Sequence, residues 1–404
     1  QAVEIAQLNL LLKVAEKGRR LPLLQENIKC GNSLIDDPAI AGDKAFKWEE
    51  EFKEIMQEGG FDVVVGNPPY GVLLNRNERN YFLNKYSCRD KDINSFVLFI
   101  EKGCKLVKDK GYLGFIIPKN LIKTDDYENI RRYIFDNFAI LSIVDCGKSF
   151  EEVTGEMVIL IVRKEKKHKN NTNIFSIENG IFNKKGVVNQ SEFGNLEKYR
   201  FNILLTERIA NFIKHIKENS LKLEDLVKIF RGIETGKKDE LIKNIPPPTS
   251  FKKIIAGKDL DRYRIKNIRF IEYKPNKINF KDETMYNQPK IVVRKIANHV
   301  HATFDEDNLY TTQGVYIFNS QNISQLKYIL GMINSKLLHW YYEIIFNMGS
   351  HLTTNVTIEN LRNLPIKLIP ESEQQPLINL VDKMLSLNKR LNEIGDKKTD
   401  ERAK

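Results

Sequence analysis

The stretch FDVVVGNPPY at residues 61–70 joins a short β-branched run to a pair of prolines. Its first six residues are typical of a β-strand, which ends at the prolines because they have no amide hydrogen for the sheet. Pro68 and Pro69 also fix the backbone φ angle, so we expect a stiff loop that offers carbonyl oxygens. The sequence therefore predicts a strand at residues 61–66 that presents Asn67 and Tyr70 beyond its carboxyl end.

Helix and strand signals alternate on both sides of this stretch. Upstream, the pattern predicts a helix at residues 3–11, a short strand at 26–31 and an amphipathic helix at 47–57. Downstream, it predicts helices at 93–107 and 127–135 and strands at 112–117, 140–144 and 157–162. Such alternation with short connections is typical of a mostly parallel sheet covered by helices, so we expect an α/β domain.

A run rich in Lys, His and Asn at residues 163–171 is the best candidate for a linker, and we expect the domain boundary there. Beyond it, the pattern predicts an α+β arrangement, with a helix at 205–216 and short strands at 227–232, 252–255, 290–293 and 314–318. A long helix is predicted at 323–345. Apolar residues at heptad-like spacing predict a final helix at 377–391, which packs on the body or on a partner helix.

The charge of the chain is unevenly distributed. Its 404 residues carry a formal net charge of +11, with −3 over residues 1–160 and +14 over residues 161–404. A neutral part followed by a basic part indicates that the second part holds a polyanion, either nucleic acid or a membrane surface. No apolar run reaches the roughly 18 residues of a spanning helix, which argues against a transmembrane enzyme. The four cysteines lack CxxC spacing and indicate reduced thiols of a cytoplasmic protein.

Asn67 and the prolines carry a specific chemistry. The side-chain oxygen of Asn67 and the carbonyl of Pro68 are placed to accept both hydrogens of one planar amine. The lone pair of such an amine is conjugated into its ring, and accepting both hydrogens frees it for attack on a methyl sulfonium. Tyr70 offers a ring for stacking, and the amine of a duplex base is reachable only after base flipping. The plain alternative is an ordinary strand stop with a buried tyrosine.

Residues 67–70, at the end of a β-branched strand, resemble the catalytic motif of amino-group methyltransferases that act on adenine or on a release-factor glutamine. Both kinds use S-adenosylmethionine. Residues 30–34 resemble the segment that reaches the cofactor adenine, residues 96–102 the helix that borders the cofactor, and residues 147–150 a loop whose aromatic ring stacks on the flipped base. The resemblance implies catalytic roles for Asn67, Pro68, Pro69, Tyr70 and Phe150, and cofactor contacts from Asn32, Ser33, Asn67 and Phe96. A core position is the alternative for Phe150.

The second part separates these two kinds of enzyme. Residues 227–241, 255–263, 290–316 and 337–365 resemble the C-terminal specificity domain of TaqI-type adenine-N6 DNA methyltransferases, whereas release-factor enzymes carry no basic domain of about 200 residues. The resemblance implies a Rossmann-like methyltransferase domain over 1–165, a DNA target-recognition domain over 173–372, and a C-terminal helix and tail over 373–404. It also implies S-adenosylmethionine as cofactor and double-stranded DNA as partner, with a cognate restriction endonuclease or a fused nuclease as open alternatives.

In that family, the glycine-rich loop and the acidic residue that hold the cofactor lie upstream of the helix with which this sequence begins. We therefore expect the first strands of the Rossmann-like fold to be missing and the chain alone to bind S-adenosylmethionine weakly or not at all. Two other functions stay open: a methyltransferase that acts on RNA or on a protein amide, and a catalytically inert DNA-recognition module.

Eight basic residues lie beside glycines or short predicted strands, where they are candidates for DNA contact: Arg231, Lys237, Lys238, Lys258, Arg262, Arg264, Arg294 and Lys295. Arginines near turns suit base edges because the guanidinium pairs with guanine through two hydrogen bonds. Lysines suit phosphates, although a solvated surface position is the alternative for each of them. His299 and His301 have no evident third ligand, so no metal site is predicted.

The first testable prediction concerns salt. Binding to duplex DNA should weaken steeply as the salt concentration rises, because several phosphates are neutralised together. Replacing Lys237 and Lys238 with alanine should lower the slope of log K against log salt by about two, roughly one for each phosphate that is no longer neutralised. The same double change at Lys44 and Lys53, in the neutral part, is the control. A salt-independent affinity would favour the protein-amide alternative.

Overall fold

A computed structural model of the chain describes residues 2–14, 24, 26–88, 93–147, 155–166, 169–235, 241–275, 277–280, 282–297, 300–348 and 356–403. The chain forms two compact units, Gln1–Glu207 and Arg208–Lys404. The division falls later than the linker predicted at residues 163–171. The reason is that the strand after that linker pairs with the sheet of the first unit and extends it.

The first unit is built on a six-stranded sheet in the order β1-β2-β4-β3-β5-β6. Its strands are β1 (Phe61–Gly66), β2 (Val107–Pro118), β3 (Ala139–Gly147), β4 (Met157–Arg163), β5 (Asn171–Glu178) and β6 (Ile181–Asn189). The pairs β1–β2 and β3–β5 are parallel, while β4 runs antiparallel between β2 and β3. All but β4 and β6 therefore run in one direction, which confirms the predicted mostly parallel α/β sheet.

The helices of the first unit match most of the sequence predictions. They are α1 (Ala2–Val14), α2 (Pro38–Ala41), α3 (Trp48–Glu51), α4 (Lys53–Gln57), α5 (Arg76–Lys85), α6 (Ser95–Leu106), α7 (Asn120–Lys123), α8 (Glu128–Asn137) and α9 (Ser191–Gly194). The predicted strand at residues 26–31 is wrong, because the amide of Asn27 donates to Leu24 and closes a turn. Asn32, directly after this segment, makes an isolated bridge with Ala45.

β1 lies at the edge of this sheet. Among the described strands it pairs with β2 alone, with Gly66 opposite Phe115. Val63 is 54% exposed and Val65 is 75% exposed. The apolar residues of this strand are therefore not all buried. Its carboxyl end, where the Asn67 loop begins, lies on the outermost strand of the sheet.

The second unit contains two larger sheets. One has the order β15-β14-β17-β8, the other has the order β16-β10-β13-β9, and the pairs β11–β12 and β7–β18 are small. The strands are β7 (Leu221–Lys222), β8 (Lys228–Arg231), β9 (Ile242–Lys243), β10 (Phe251–Ile255), β11 (Leu260–Asp261), β12 (Arg264–Ile265), β13 (Arg269–Glu272), β14 (Lys290–Arg294), β15 (Ala302–Asp305), β16 (Tyr310–Thr311), β17 (Val315–Asn319) and β18 (Pro365–Ile366). Neighbouring strands are antiparallel in all pairs of these sheets except β10–β16, as expected for an α+β arrangement.

The helices of the second unit are α10 (Glu207–Glu218), α11 (Ile323–Ile333), α12 (Lys336–Tyr342), α13 (Ile358–Arg362) and α14 (Glu371–Ala403). The single helix predicted at 323–345 is wrong. Asn334 ends α11 and uses its side chain to bond both backbone groups of Ala302 on β15, at 3.3 and 2.9 Å. Ser335 then caps a new helix by accepting from the amide of Leu338.

A buried ion pair ties β14 to β15. The Nζ of Lys290 lies 2.5 Å from Oδ2 of Asp305, and both side chains are fully buried. Lys290 also donates to the carbonyl of Tyr286, and Asp305 accepts from the amides of Asp307 and Leu309. Burial raises the pKa of Asp305 and lowers that of Lys290, because loss of solvent disfavours both charges. The mutual pairing and these hydrogen bonds oppose this cost of burial.

The second prediction follows from this pair. Lys290→Met should lower the free energy of unfolding by about 3–5 kcal/mol near pH 8, because it leaves the Asp305 carboxylate buried without its cation. The loss should be smaller near pH 5. A carboxyl group whose pKa is raised in the folded state binds a proton more tightly there than in the unfolded state. Lowering the pH therefore neutralises the buried carboxylate and reduces the loss of unfolding free energy that it causes. Urea unfolding at both pH values measures the difference.

Lys253→Met is the matched control, because Lys253 is exposed on β10. It should change the free energy of unfolding by no more than about 0.5 kcal/mol at either pH. An equal loss at pH 5 and pH 8 for Lys290→Met would contradict the role given to Asp305.

Candidate active site and nucleic-acid interface

The Asn-Pro-Pro-Tyr loop leaves the sheet at the carboxyl end of β1. Gly66 closes the strand, and a Cβ atom there would lie 3.1 Å from the Phe115 ring on β2, so a small residue is needed. Pro68 is buried, while Asn67 and Pro69 are exposed and Tyr70 is 41% exposed. Among the described residues, the side chain of Asn67 makes no hydrogen bond. Its amide oxygen is therefore available to a ligand.

Ser95 fixes this loop to the next helix. Its hydroxyl donates to the carbonyl of Pro69 at 2.6 Å, and the residue is only 4% exposed. Ser95 is the first residue of α6, so the loop is tied directly to the start of that helix. The bond holds the second proline in place and leaves the Asn67 end of the loop facing outward.

A cavity of about 210 Å³ lies beside the loop. Its walls come from β1 and the loop, from α6, and from the segment before α2. They are formed by Ser33, Trp48, Val64, Val65, Gly66, Asn67, Pro68, Pro69, Phe99, Lys102, Gly103, Leu106 and Phe115. The structure thus brings together Ser33 and Asn67, two of the residues for which the sequence predicts cofactor contacts.

The segment that carries Asn32 and Ser33 is held by side chains from two helices. The indole nitrogen of Trp48 donates to the carbonyl of Ser33 at 3.0 Å, and the hydroxyl of Tyr86 donates to the carbonyl of Leu34 at 2.9 Å. Asn32 itself is half-buried, and its side-chain oxygen accepts from the amide of Leu34 at 3.1 Å. Its amide oxygen therefore already serves the local turn.

Asp36 attaches this segment to α5. It accepts from the hydroxyl of Tyr81 at 2.7 Å and pairs with Lys85 at 2.9 Å. Burial alone would raise the pKa of Asp36, but the hydrogen bonds from Lys85 and Tyr81 outweigh it and keep the pKa below its usual value. The carboxylate is thus ionised and fixes the segment that follows Ser33.

Phe96, assigned from sequence to the cofactor, does not line this cavity. It is 1% exposed and packs edge-on against Tyr127 with ring centres 5.2 Å apart. The structure thus places Phe96 in the core of the first unit, and its contact with the cofactor stays a prediction. Phe150, to which the sequence assigns base stacking, lies outside the described residues.

Sequence reasoning missed three residues that shape the cavity: Ser95, Trp48 and Lys102. Lys102 lies on α6 in the wall of the cavity, and burial lowers its pKa. Its position six residues after Phe96, inside the helix expected to border the cofactor, is the only sequence signal that points to it. Ser95 and Trp48 act through hydrogen bonds to distant backbone groups, for which the sequence has no local signal.

Four of the predicted basic residues lie at one end of the β15-β14-β17-β8 sheet or beside it. On β17, Val315 lies opposite Arg294 and Tyr316 opposite Arg231, so the two arginines flank the start of this strand. The amide of Lys295 donates to the carbonyl of Gly314 at 2.9 Å. Lys258 is exposed and follows Gly257, which contacts Gly314 and Arg294. These four residues, Arg231, Lys258, Arg294 and Lys295, are called the basic group below.

The arginines predicted to contact DNA all have partners within the second unit. In the basic group, Arg294 donates to the carbonyl of Ile296 at 2.7 Å, and Arg231 lies 3.8 Å from Glu234. Arg262 donates to the carbonyl of Asn334 at 2.6 Å, and Arg264 donates to the side chain of Asn392 on α14 at 2.6 Å. Part of each guanidinium therefore serves packing within the unit. Lys237 and Lys238 lie outside the described residues.

Comparison with known families assigns both regions of the chain. Residues 1–151 match the model of the Eco57I restriction-modification methylase, and residues 252–366 match the TaqI-like C-terminal specificity domain. Residues 1–151 are therefore similar to a restriction-modification methylase and residues 252–366 to a TaqI-like specificity domain, and these regions are called the methylase domain and the specificity domain below. The cavity beside Asn67 belongs to the methylase domain, and most of the basic group lies within the specificity domain.

Curated relatives carry both activities in their names. The chain is 28% identical over 388 residues to a putative type II restriction enzyme and methyltransferase of Methanocaldococcus jannaschii, covering 88% of this chain and 31% of that protein. It is 34% identical over 155 residues to the type II restriction enzyme and methyltransferase Eco57I of Escherichia coli, covering 36% of this chain and 15% of that protein. The chain thus spans about a third or less of these two relatives.

Solved structures support the fold. The restriction-modification enzyme LlaGI, solved with a DNA substrate mimic, matches with a TM-score of 0.55 at 12% identity, over 96% of this chain and 40% of that one. MmeI, solved in complex with DNA, matches with a TM-score of 0.54 at 9% identity, over 83% and 50%. At such low identity, these similarities concern the fold alone.

Membrane-spanning helices and metal-ligand clusters are both absent from the described residues. No helix there combines the length and apolar character needed to cross a bilayer. No group of three or more His, Cys, Asp or Glu side chains in the same part of the chain is arranged to hold a metal ion. His301, one of the two histidines considered from sequence, contacts Asp261 at 2.9 Å.

The third prediction concerns the Ser95 hydroxyl in the methylase domain. Ser95→Ala should lower the free energy of unfolding by about 0.5–1.5 kcal/mol, the usual net contribution of one hydrogen bond, because water can replace the donor at the exposed Pro69. Chymotrypsin should cleave the native protein faster after Tyr70, because the loop is no longer tied to α6. Ser386→Ala, at an exposed position on α14, should leave this cleavage rate unchanged. An unchanged cleavage rate in Ser95→Ala would show that the bond does not hold the loop.

Proposed function

We propose that the methylase domain transfers a methyl group from S-adenosylmethionine to the exocyclic N6 amine of an adenine flipped out of duplex DNA. The proposal rests on one observation above all. Asn67 and Pro68 follow the carboxyl end of β1, the Asn67 amide is exposed, and both residues line a cavity that also contains Ser33. In α/β sheets, ligands bind at the carboxyl ends of the strands.

The amide oxygen of Asn67 and the carbonyl of Pro68 accept the two N6 hydrogens of the target adenine. As the nitrogen becomes pyramidal, its lone pair would take up the methyl group that bound S-adenosylmethionine supplies, and the sulfur would keep the electron pair of the bond that breaks. The nitrogen then loses one proton, first to its hydrogen-bond acceptor and then to water. Tyr70, which is 41% exposed, offers its ring for stacking on the base.

Ser33 and Asn67 supply polar groups for the cofactor, and Trp48 and Phe99 supply apolar wall. Bound S-adenosylmethionine supplies an electrophilic methyl group on a positively charged sulfur. Ligand pockets usually measure roughly 300–1,000 Å³, so a cavity of about 210 Å³ forms part of such a site. The described residues therefore fit one wall of a cofactor site.

The second unit acts as the target-recognition domain. The basic group holds positive charge at one end of its largest antiparallel sheet, where Arg231 and Arg294 suit base edges and Lys258 and Lys295 suit phosphates. Each of the four arginines already has a partner in its own unit, because Arg262, Arg264 and Arg294 donate hydrogen bonds there and Arg231 lies 3.8 Å from Glu234, so only part of each guanidinium is left for DNA. The enzyme serves a restriction-modification system in the cytoplasm, with a nuclease on the same polypeptide or on a separate one.

The fourth prediction tests the acceptor role. Asn67→Ala, in the protein expressed from its whole gene, should lower the single-turnover rate of N6-methyladenine formation by about a hundredfold or more. This is the usual range for removing one group that acts in the transition state. Affinity for duplex DNA should change by no more than a few fold, since the group acts mainly on the reacting nitrogen. Asn77→Ala, at an exposed position on α5, is the control.

Mass spectrometry of the digested products separates the proposal from its rivals. N6-methyladenine in duplex DNA supports it, whereas methyl groups on RNA or on a protein glutamine would replace it with the other methyltransferase function. DNA binding without any methyl transfer by the unchanged protein would favour the inert recognition module. An unchanged rate for Asn67→Ala would remove this residue from the mechanism.

A further inference from the structure

The C-terminal helix α14 carries an exposed apolar stripe. It consists of Leu380 at 60% exposure, Met384 at 41%, Leu387 at 47%, Leu391 at 50% and Ile394 at 53%. These residues follow one another at intervals of four, three, four and three, the spacing of the a and d positions of a coiled coil. Five large apolar side chains on one helix face form a continuous patch, whereas single exposed apolar residues are normal.

A different face of α14 already holds the helix on its own unit. Ile378 and Val381 are buried, and Gly331 on α11 lies against Leu377 and Val381. Further along, Asp382 pairs with Lys327 at 2.8 Å, and Asn392 binds Arg264. The helix is thus fixed along the same length over which the stripe is exposed. The stripe is not what attaches the helix to its unit.

Basic residues border the stripe. Lys383 and Arg390 are seven residues apart and occupy the coiled-coil g position when Leu380, Leu387 and Ile394 are d and Met384 and Leu391 are a. Both are exposed, and neither forms an ion pair with another described side chain. The e positions Val381 and Asn388 are turned toward the unit, since Val381 is 1% exposed and Asn388 lines a groove with Arg264. The open flank of the stripe is therefore positively charged.

We propose that the apolar stripe of α14 docks an amphipathic α-helix of a partner protein, one with apolar a and d residues and acidic residues on the flank that faces Lys383 and Arg390. Apolar contact along the stripe supplies the attraction, and the two basic residues select the partner through charge. This docking surface is independent of the proposed methyl transfer.

Charge also argues against a second copy of this chain as the occupant. An antiparallel pair of α14 helices would match the stripe, with Met384 facing Leu387 and Leu380 facing Leu391. The same pairing places Lys383 opposite Arg390 twice, and like charges at such positions disfavour a pairing. A parallel pair would need Val381 and Asn388 at its interface, and these are already used within the unit.

The test uses the whole chain and three synthetic helical peptides of 28 residues. The first has Leu or Ile at a and d and Glu at e and g, the second has Lys in place of Glu, and the third contains the residues of the first in scrambled order. Fluorescence anisotropy should show the Glu peptide binding at least tenfold more tightly than the Lys peptide near 50 mM salt. The difference should shrink near 500 mM salt, where exposed charges are screened. The scrambled peptide should not bind, which excludes simple attraction between a basic protein and an acidic peptide.

Three variants make the test specific, and thermal unfolding checks that each is folded. Leu387→Glu combined with Leu391→Glu should abolish binding of the Glu peptide. Lys383→Glu combined with Arg390→Glu should reverse the preference toward the Lys peptide. Ile245→Glu is the control, because Ile245 is 77% exposed and lies away from α14 in sequence; it should change nothing.

Equal affinity for the Glu and Lys peptides would contradict the claim that the partner helix has an acidic flank. If neither peptide binds, the claim that the stripe docks a helix is wrong. Sedimentation of the unchanged chain as a dimer that Leu387→Glu dissociates would show that a second copy covers the stripe instead. A preference that does not reverse in the Lys383→Glu, Arg390→Glu variant would overturn the role of these two residues.

Discussion

The parallel pairing of β1 with β2 is the constraint on which the position of the Asn67 loop depends. It brings the carboxyl ends of both strands to one side of the sheet, where β2 ends at Pro118 and β1 is followed by Asn67 and Pro68. Directly after Pro118, Lys119 pairs with Asp145 near the end of β3 at 2.8 Å. Polar groups from three strands therefore gather at one edge. The hydrogen bond from Ser95 to the carbonyl of Pro69 then fixes the loop that follows β1 against the start of α6.

Charge has two different uses in the second unit. Lys290 and Asp305 are fully buried and hold two strands together, whereas the basic group lies around the start of β17. The net charge of the region does not distinguish these uses, and neither does the residue type. Arg264 illustrates this, because its position near short strands suggests DNA contact while its hydrogen bond to Asn392 fastens α14. Burial and hydrogen-bond partners separate a structural charge from one that is available to a ligand.

Much of the fold follows from local sequence signals, and most of the wrong or missing predictions share one cause. The strand before Asn67, the helix at 95–106 and the strands at 139–147 and 157–163 were all predicted, since periodicity and proline act locally. The break at Asn334 depends on Ala302, 32 residues earlier, and the later division of the chain depends on the pairing of β5 with β3. The link from Ser95 to Pro69 spans 26 residues. Interactions between distant residues decide these features, and a single sequence does not display them.

The edge position of β1 also leaves one side of this strand open to a further strand. Val63 and Val65 are exposed on a strand that, among the described strands, pairs along one side only. Unpaired backbone groups beside exposed valines form a template for another strand, whether that strand comes from the same polypeptide or from another molecule. The strand ends directly before the proposed catalytic asparagine. A strand added on this side would therefore link completion of the sheet to the geometry of the Asn67 loop.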